Sequence, residues 1–86
     1  MALEGELNFN TVPALLAKAE SLVKAGSLDL AKVGHADSAG VALLLELTRR
    51  ARAAGLTLDF ANPPPQLRGL ISFFGLTEAL SLSELP

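Results

Sequence analysis

The chain has 86 residues, half of them hydrophobic and 19% charged, which is enough for one domain with ample core material and excludes a disordered tract. A net charge of -2 gives no basic footprint, so nucleic acid is not an expected partner. With no cysteine and His35 as the lone histidine, neither a disulfide framework nor a thiolate metal site can form, and no metal or cofactor is expected.

Leu3, Gly5, Leu7 and Phe9 alternate with Glu4, Glu6 and Asn8, which predicts a first strand with one wet face. Those glutamates stand where a signal peptide would carry positive charge, and no apolar run approaches bilayer-spanning length. A cytoplasmic location without direct membrane insertion is the expectation. Asn10 or Thr11 can cap a helix in which Val12, Leu15, Leu16, Ala19, Leu22 and Val23 recur at helical spacing, with Pro13 in the first turn and Gly26 as the stop. Leu28 and Leu30 around Asp29 predict a second, short strand over residues 27–31, followed by a loop over 32–37.

The next helix is predicted to begin near Ser38 and to run to Ala54, with Arg49, Arg50 and Arg52 near its C-terminus and Gly55 after it. A third strand is expected over residues 57–60. Asn62 with Pro63, Pro64 and Pro65 then forms a rigid connection to a third helix over 66–74, whose Leu67, Leu70, Ile71 and Phe74 share one face. Residues 80–85 read as a short edge strand or a frayed tail. The alternation of strands and helices predicts a single α/β domain with a small mixed or parallel sheet. Function in such sheets sits at the carboxyl ends of strands, which directs attention to the loop after Leu30.

That loop leads into Asp37-Ser38-Ala39-Gly40. Asp37 or Ser38 serves as an ordinary N-cap, and His35 reads as a solvated loop residue. His35, Asp37 and Ser38 match a catalytic triad in composition, but residues so close in sequence do not line up nucleophile, base and orienter. Gly34 and Gly40 are not followed by Gly-Lys-Ser/Thr, which excludes a phosphate loop of the Walker type. On the helix itself, Val41, Leu44, Leu45, Thr48 and Ala51 form a core stripe, while Ala39, Ala42, Leu43 and Leu47 carry apolar character around the other side. Either another element covers Leu43 and Leu47, or they form an exposed patch for a protein partner.

The run Gly5-Glu6-Leu7, the helix from Val12, the strand Leu28-Asp29-Leu30 and the segment Asp37-Ser38-Ala39-Gly40-Val41-Ala42-Leu43-Leu44 resemble a STAS domain, the module of anti-sigma factor antagonists and sulfate transporters. Leu43 to Leu47, Arg49-Arg50-Ala51, Gly55, Asn62-Pro63-Pro64 and Phe74-Gly75-Leu76 are similar to the MlaB-type subfamily, the STAS subunit of the bacterial phospholipid ABC transporter. The resemblance covers nearly the whole chain. It implies a non-catalytic module that binds through Asp37, Ser38, Ala39, Gly40, Leu43 and Leu47. The implied partner is the ATPase subunit of a lipid-transport complex at the inner membrane. Alternatively it is an anti-sigma factor kinase that phosphorylates Ser38. A lipid or small-ligand carrier is a weaker reading, because so short a chain cannot enclose a large cavity beside its core. Two departures stand out: the edge strand that usually precedes Gly-Glu-Leu is missing, and His35-Ala36 replaces a bulky hydrophobic pair. A missing edge strand bears on autonomous stability and on oligomeric state, which the sequence leaves open.

Overall fold

The computed structural model describes residues 1–84. In chain order the elements are β1 (Ala2–Leu7), α1 (Val12–Leu16), α2 (Ala19–Lys24), β2 (Ser27–Ala36), α3 (Ser38–Ala53), β3 (Asp59–Ala61), α4 (Pro65–Phe73) and β4 (Leu82–Ser83). The strands form one sheet in the order β1-β2-β3-β4, and each neighbouring pair is parallel. Helices connecting successive strands of a parallel sheet by crossovers of one hand lie on the same face. Accordingly α3 packs against α1 and α2 on one side and against α4 on the other, and it rests on β2.

The core is a single cluster. Leu3 and Leu7 of β1, Leu28, Leu30 and Val33 of β2, and Phe60 of β3 supply the sheet side, and Leu44, Leu67 and Ile71 belong to the helix side. Fully burying each of these large side chains is worth about 1.5–3 kcal/mol, so the cluster dominates the stability of so small a domain.

β2 is twice as long as the alternation of Leu28 and Leu30 implies, and residues 32–36, expected as loop, belong to it. The pairing with β1 explains the misreading. Ala2 and Glu4 face Asp29 and Lys32, and Gly5 and Leu7 face Val33 and Ala36, so β2 twice places two residues against one of β1. Each extra residue shifts the side-chain alternation, which is why the buried positions run Leu28, Leu30, Val33, Ala36. Gly5 adopts φ +77 within this irregular stretch, a conformation that favours glycine.

The helix expected over 12–23 is two short helices. Lys18 leaves helical geometry at φ -104, ψ 13, and its amide reaches back only to the Leu15 carbonyl at 3.0 Å. Buried positions keep helical spacing across the break, from Val12 to Ala19, Leu22 and Val23, so periodicity alone does not reveal it. β1 ends at Leu7, and the turn after it carries Phe9 out to 81% exposure, not onto the buried face. Thr11 holds that turn: its hydroxyl donates to the Glu6 carbonyl at 2.8 Å and accepts from the Asn8 amide at 2.9 Å.

At the other edge, Asn62 takes φ 56, donates its backbone N–H to the Ser83 carbonyl at 2.7 Å, and donates its side-chain amide to Asp29 at 3.3 Å. The Ala31 backbone N–H, and then Asn62, hold the Asp29 carboxyl below its ordinary pKa. Asp59 accepts from the Ser81 and Ser83 hydroxyls and pins β4 to β3. The predicted edge strand over 80–85 is thus Leu82–Ser83, and Leu85 lies outside the described residues.

Candidate functional site

The carboxyl ends of β1 and β2 and the first turn of α3 meet at one place, and the contacts that fix it are backbone contacts. The Asp37 amide donates to the Leu7 carbonyl at 3.0 Å, which ties the start of α3 to the end of β1. Gly40 sits over the same carbonyl. A Cβ there would lie 2.7 Å from the Leu7 oxygen and 2.8 Å from the Leu7 Cβ, so only glycine lets the helix approach this closely.

Of the two candidate caps, Asp37 is the one used. Its carboxylate accepts from the Ala39 amide at 2.8 Å and from the Gly40 amide at 3.3 Å, satisfying donors that the helix cannot satisfy internally. Ser38 is exposed and its hydroxyl makes no hydrogen bond among the described residues. The cap thus leaves the hydroxyl free for other chemistry. His35 lies at an exposed position of β2, and among the described residues no hydrogen bond joins it to Asp37 or Ser38 as a relay would need.

α3 presents its outward face through Ser38, Ala42, Leu45 and Arg49, at spacings that place them on one stripe. Ser38, Ala42 and Leu45 form one wall of a cleft of about 250 Å³ whose other wall is Phe74 and Leu76. Phe74 is 45% exposed and Phe73 81% exposed, and their rings meet edge to face with centroids 5.5 Å apart. Phe74 was expected on the buried face of α4 with Leu67 and Ile71. It falls instead at the C-cap, where the chain turns into Gly75 at φ +71 and lifts the ring off the core.

The position of α4 relative to this cleft is set by Gln66. Its carboxamide oxygen accepts from the Ala36 amide at 2.9 Å, and its nitrogen donates to the Ala36 carbonyl at 2.8 Å. Sequence reasoning misses this clasp, since one glutamine thirty residues from its backbone partner leaves no local pattern.

Three expected contact residues are not on the surface. Leu43 is 1% exposed and Leu47 fully buried, and Gly40 is buried against Leu7. The reason is that α1 and α2 pack beside α3, so the side of the helix carrying Leu43 and Leu47 joins the core together with Ala19, Leu22 and Val23. Leu45, expected in the core stripe, is the leucine left partly exposed. Asp37 and Ala39 are half-buried, and only Ser38 of the predicted set is fully open.

Farther along α3, Glu46 bridges two arginines, accepting from Arg49 at 2.8 Å and from Arg50 at 2.7 Å. The hydrogen bond from Arg49, then that from Arg50, brings its carboxyl down to about 2. Arg52 reaches across to the Ala79 carbonyl at 3.4 Å. Among the described residues no group of three or more His, Cys, Asp or Glu side chains is placed to hold a metal ion, and no helix is long and apolar enough to cross a membrane.

The profile of the family described as "Mlab, STAS domain" matches residues 1–84. Among solved structures, the anti-sigma factor antagonist SpoIIAA in its unphosphorylated form is similar over 99% of this chain and 76% of its own, at 24% identity and a TM-score of 0.78. The Bacillus cell fate determinant SpoIIAA in the phosphorylated form is similar over 99% and 79%, at 24% identity and a TM-score of 0.71. A Thermotoga maritima protein assigned as an anti-sigma factor antagonist has 15% identity, a TM-score of 0.84 and coverage of 98% and 78%. No curated protein matches the chain with significance.

Proposed function

The chain belongs to the Mlab family of STAS domains, and from that premise we propose that it is a non-catalytic module that docks on a protein partner through Ser38, Ala42, Leu45 and Phe74. One observation carries this reading: a helix face and a neighbouring aromatic leave an apolar cleft open beside the Asp-Ser-x-Gly segment, although Val41, Leu43, Leu44 and Leu47 of α3 are buried. Apolar patches rimmed by polar groups mark interaction sites. The partner proposed is the ATPase subunit of a lipid-transporting ABC complex, with the domain stabilising or activating it from the cytoplasmic side of the inner membrane. Co-expression with the ABC ATPase and permease of the same genome tests this: a stable complex supports the reading, and an ATPase that purifies without the domain opposes it.

A specific observation favours a second reading, a phosphorylation switch. Asp37 caps α3, so the Ser38 hydroxyl is exposed and uncommitted, as a phosphoacceptor must be. A phosphate of nearly -2 charge would be tolerated at the first turn of α3 by the helix dipole, yet would oppose burial of the adjoining Ala42 and Leu45. The similarity to SpoIIAA, which is known in unphosphorylated and phosphorylated forms, supports this alternative, in which the partner is a kinase that is also an anti-sigma factor. Mass spectrometry of the domain purified from its native cells separates the two readings: a phosphate on Ser38 favours the switch, and unmodified Ser38 in complex with the ATPase favours the transporter subunit.

A further inference from the structure

The cleft beside Ser38 does not end at Leu45. A second depression of about 440 Å³ continues from it along α3, sharing Ala42 and Leu45 and reaching Arg49 and Arg52, with Ala79 on the far wall. The result is one groove that runs from Ser38 to Arg52. At 1.5 Å per residue its length along α3 is about 21 Å. Its chemistry changes along that length. The Ser38 end is apolar, lined by Ala42, Leu45, Phe74 and Leu76, whereas the other end carries Arg49 and Arg52 against the single carboxylate of Glu46.

The walls restrict what can lie there. The backbone of α3 is bonded within the helix, and the opposite wall is closed on itself: the Leu76 amide donates to Ile71, and the Ala79 and Leu80 amides donate to Leu76. Neither wall offers a row of free backbone groups, so an extended peptide would have to leave its own amides without partners. A helix satisfies its backbone internally and needs only side-chain ridges to fit between α3 and Phe74. The arginine end selects for carboxylates, which are most favourable in the first turn of a helix, where they also meet the positive end of its dipole. A helix with acidic residues in its first turn, placed against Arg49 and Arg52, runs antiparallel to α3.

Resting on the docking role proposed above, we infer that the occupant of this groove is an amphipathic helix of the partner protein. It has about fourteen residues, runs antiparallel to α3, sets its apolar face on Leu45 and Phe74, and places an acidic first turn against Arg49 and Arg52. Arg52 sets the polarity of the match, because it is exposed, holds only the long 3.4 Å contact to the Ala79 carbonyl, and is not one of the two arginines bridged by Glu46.

Selection of random displayed peptides of about sixteen residues on the full chain tests the inference without knowledge of the partner. The expected winners carry apolar residues at helical spacing with Asp or Glu confined to the N-terminal turn. On ¹⁵N-labelled protein they shift the amides of Ala42, Leu45, Leu76 and Arg52. They lose about tenfold in affinity on Arg52→Glu, and replacing their acidic residues by Lys restores the loss. Winners that map to the groove but lack the acidic turn, or are indifferent to Arg52→Glu, overturn the helix assignment while leaving the docking surface in place. Winners that shift none of the groove residues, or a selection that yields no binder, overturn both.

Discussion

Gln66 and Ala36 are joined by a pair of hydrogen bonds in which a side-chain carboxamide takes the part of a neighbouring strand. The Ala36 amide donates to it at 2.9 Å and the Ala36 carbonyl accepts from it at 2.8 Å. Ala36 is the last residue of β2, and Asp37, the cap of α3, follows it. The clasp therefore fixes the first turn of α4, and with it Phe74, relative to the residue that starts α3.

Gln66→Ala leaves both backbone groups of Ala36 without their protein partner and should lower stability by about 1–2 kcal/mol. For a domain of this size each kcal/mol corresponds to a fall of about 4–8 °C in Tm, readable by circular dichroism. Gln66→Glu keeps the acceptor but sets a carboxylate against the Ala36 carbonyl, and it should be no more stable than the alanine variant. An unchanged Tm for both would show that the clasp contributes nothing to the fold.

Capping and exposure are divided between two adjacent residues, and the division is measurable. Asp37→Ala should cost about 1 kcal/mol, since it leaves the Ala39 and Gly40 amides unsatisfied, while Asp37→Asn should recover most of the loss. Ser38→Ala and Ser38→Asp should both stay within about 0.5 kcal/mol of the unmodified domain, as exposed substitutions away from the cap do. A large loss at Ser38 in thermal melts would reassign the cap.

Leu43 and Leu45, two residues apart on α3, should respond in opposite ways. Leu43→Ala creates a cavity in the core and should cost about 2–5 kcal/mol, a large fraction of the stability of a small domain. Leu45→Glu, on the partly exposed stripe, should leave the circular-dichroism spectrum of the folded domain unchanged. A Leu43→Ala variant as stable as the parent would contradict the packing of α1 and α2 on this side of α3.

These two leucines also mark how far the sequence carries. The start of α3 is legible because Asp37 and Ser38 are capping residues, and its end because Gly55 follows; both boundaries fall within a residue or two of expectation. Which apolar side of α3 would be buried is not legible. Helical periodicity places Leu43 and Leu47 on the flank of the stripe of Val41 and Leu44, and only the packing of α1 and α2 decides that this flank too is core. The open stripe is the one through Ser38, Ala42 and Leu45, on the side of the helix away from Leu43 and Leu47. The second half of β2 is hidden for a different reason: two irregularities in its pairing with β1 break the period-2 pattern that announces a strand. Phe74 keeps the spacing of Leu67 and Ile71, and its exposure depends on the turn at Gly75, a tertiary fact.

The bridge from Glu46 to Arg49 and Arg50 predicts a defined acid response. The Glu46 carboxyl, normally at 4.5, is brought down to about 2 in the folded chain. A depressed carboxyl contributes stability that is fully present above the unfolded value and is lost as pH falls through the folded one. The contribution should therefore fade between pH 4.5 and about 2, and Glu46→Gln should flatten that part of the stability curve by lowering stability near neutrality while leaving it close to the parent's at the acid end. An NMR titration placing the Glu46 midpoint near 4.5 would mean that the bridge does not persist in solution.

Affinity for the proposed partner, the ABC ATPase subunit, measured by calorimetry for the unmodified domain and for Ser38→Ala, Ser38→Asp and Leu45→Glu, tests the proposed docking surface most directly. Ser38→Ala removes a hydroxyl at little cost, whereas Ser38→Asp and Leu45→Glu require a carboxylate to be desolvated at an apolar contact. The account predicts that the two acidic variants, folded as judged by circular dichroism, lose about tenfold or more in affinity while Ser38→Ala stays near the parent. If Ser38→Asp and Leu45→Glu bind as tightly as the unmodified domain, the cleft between α3 and Phe74 is not the docking surface.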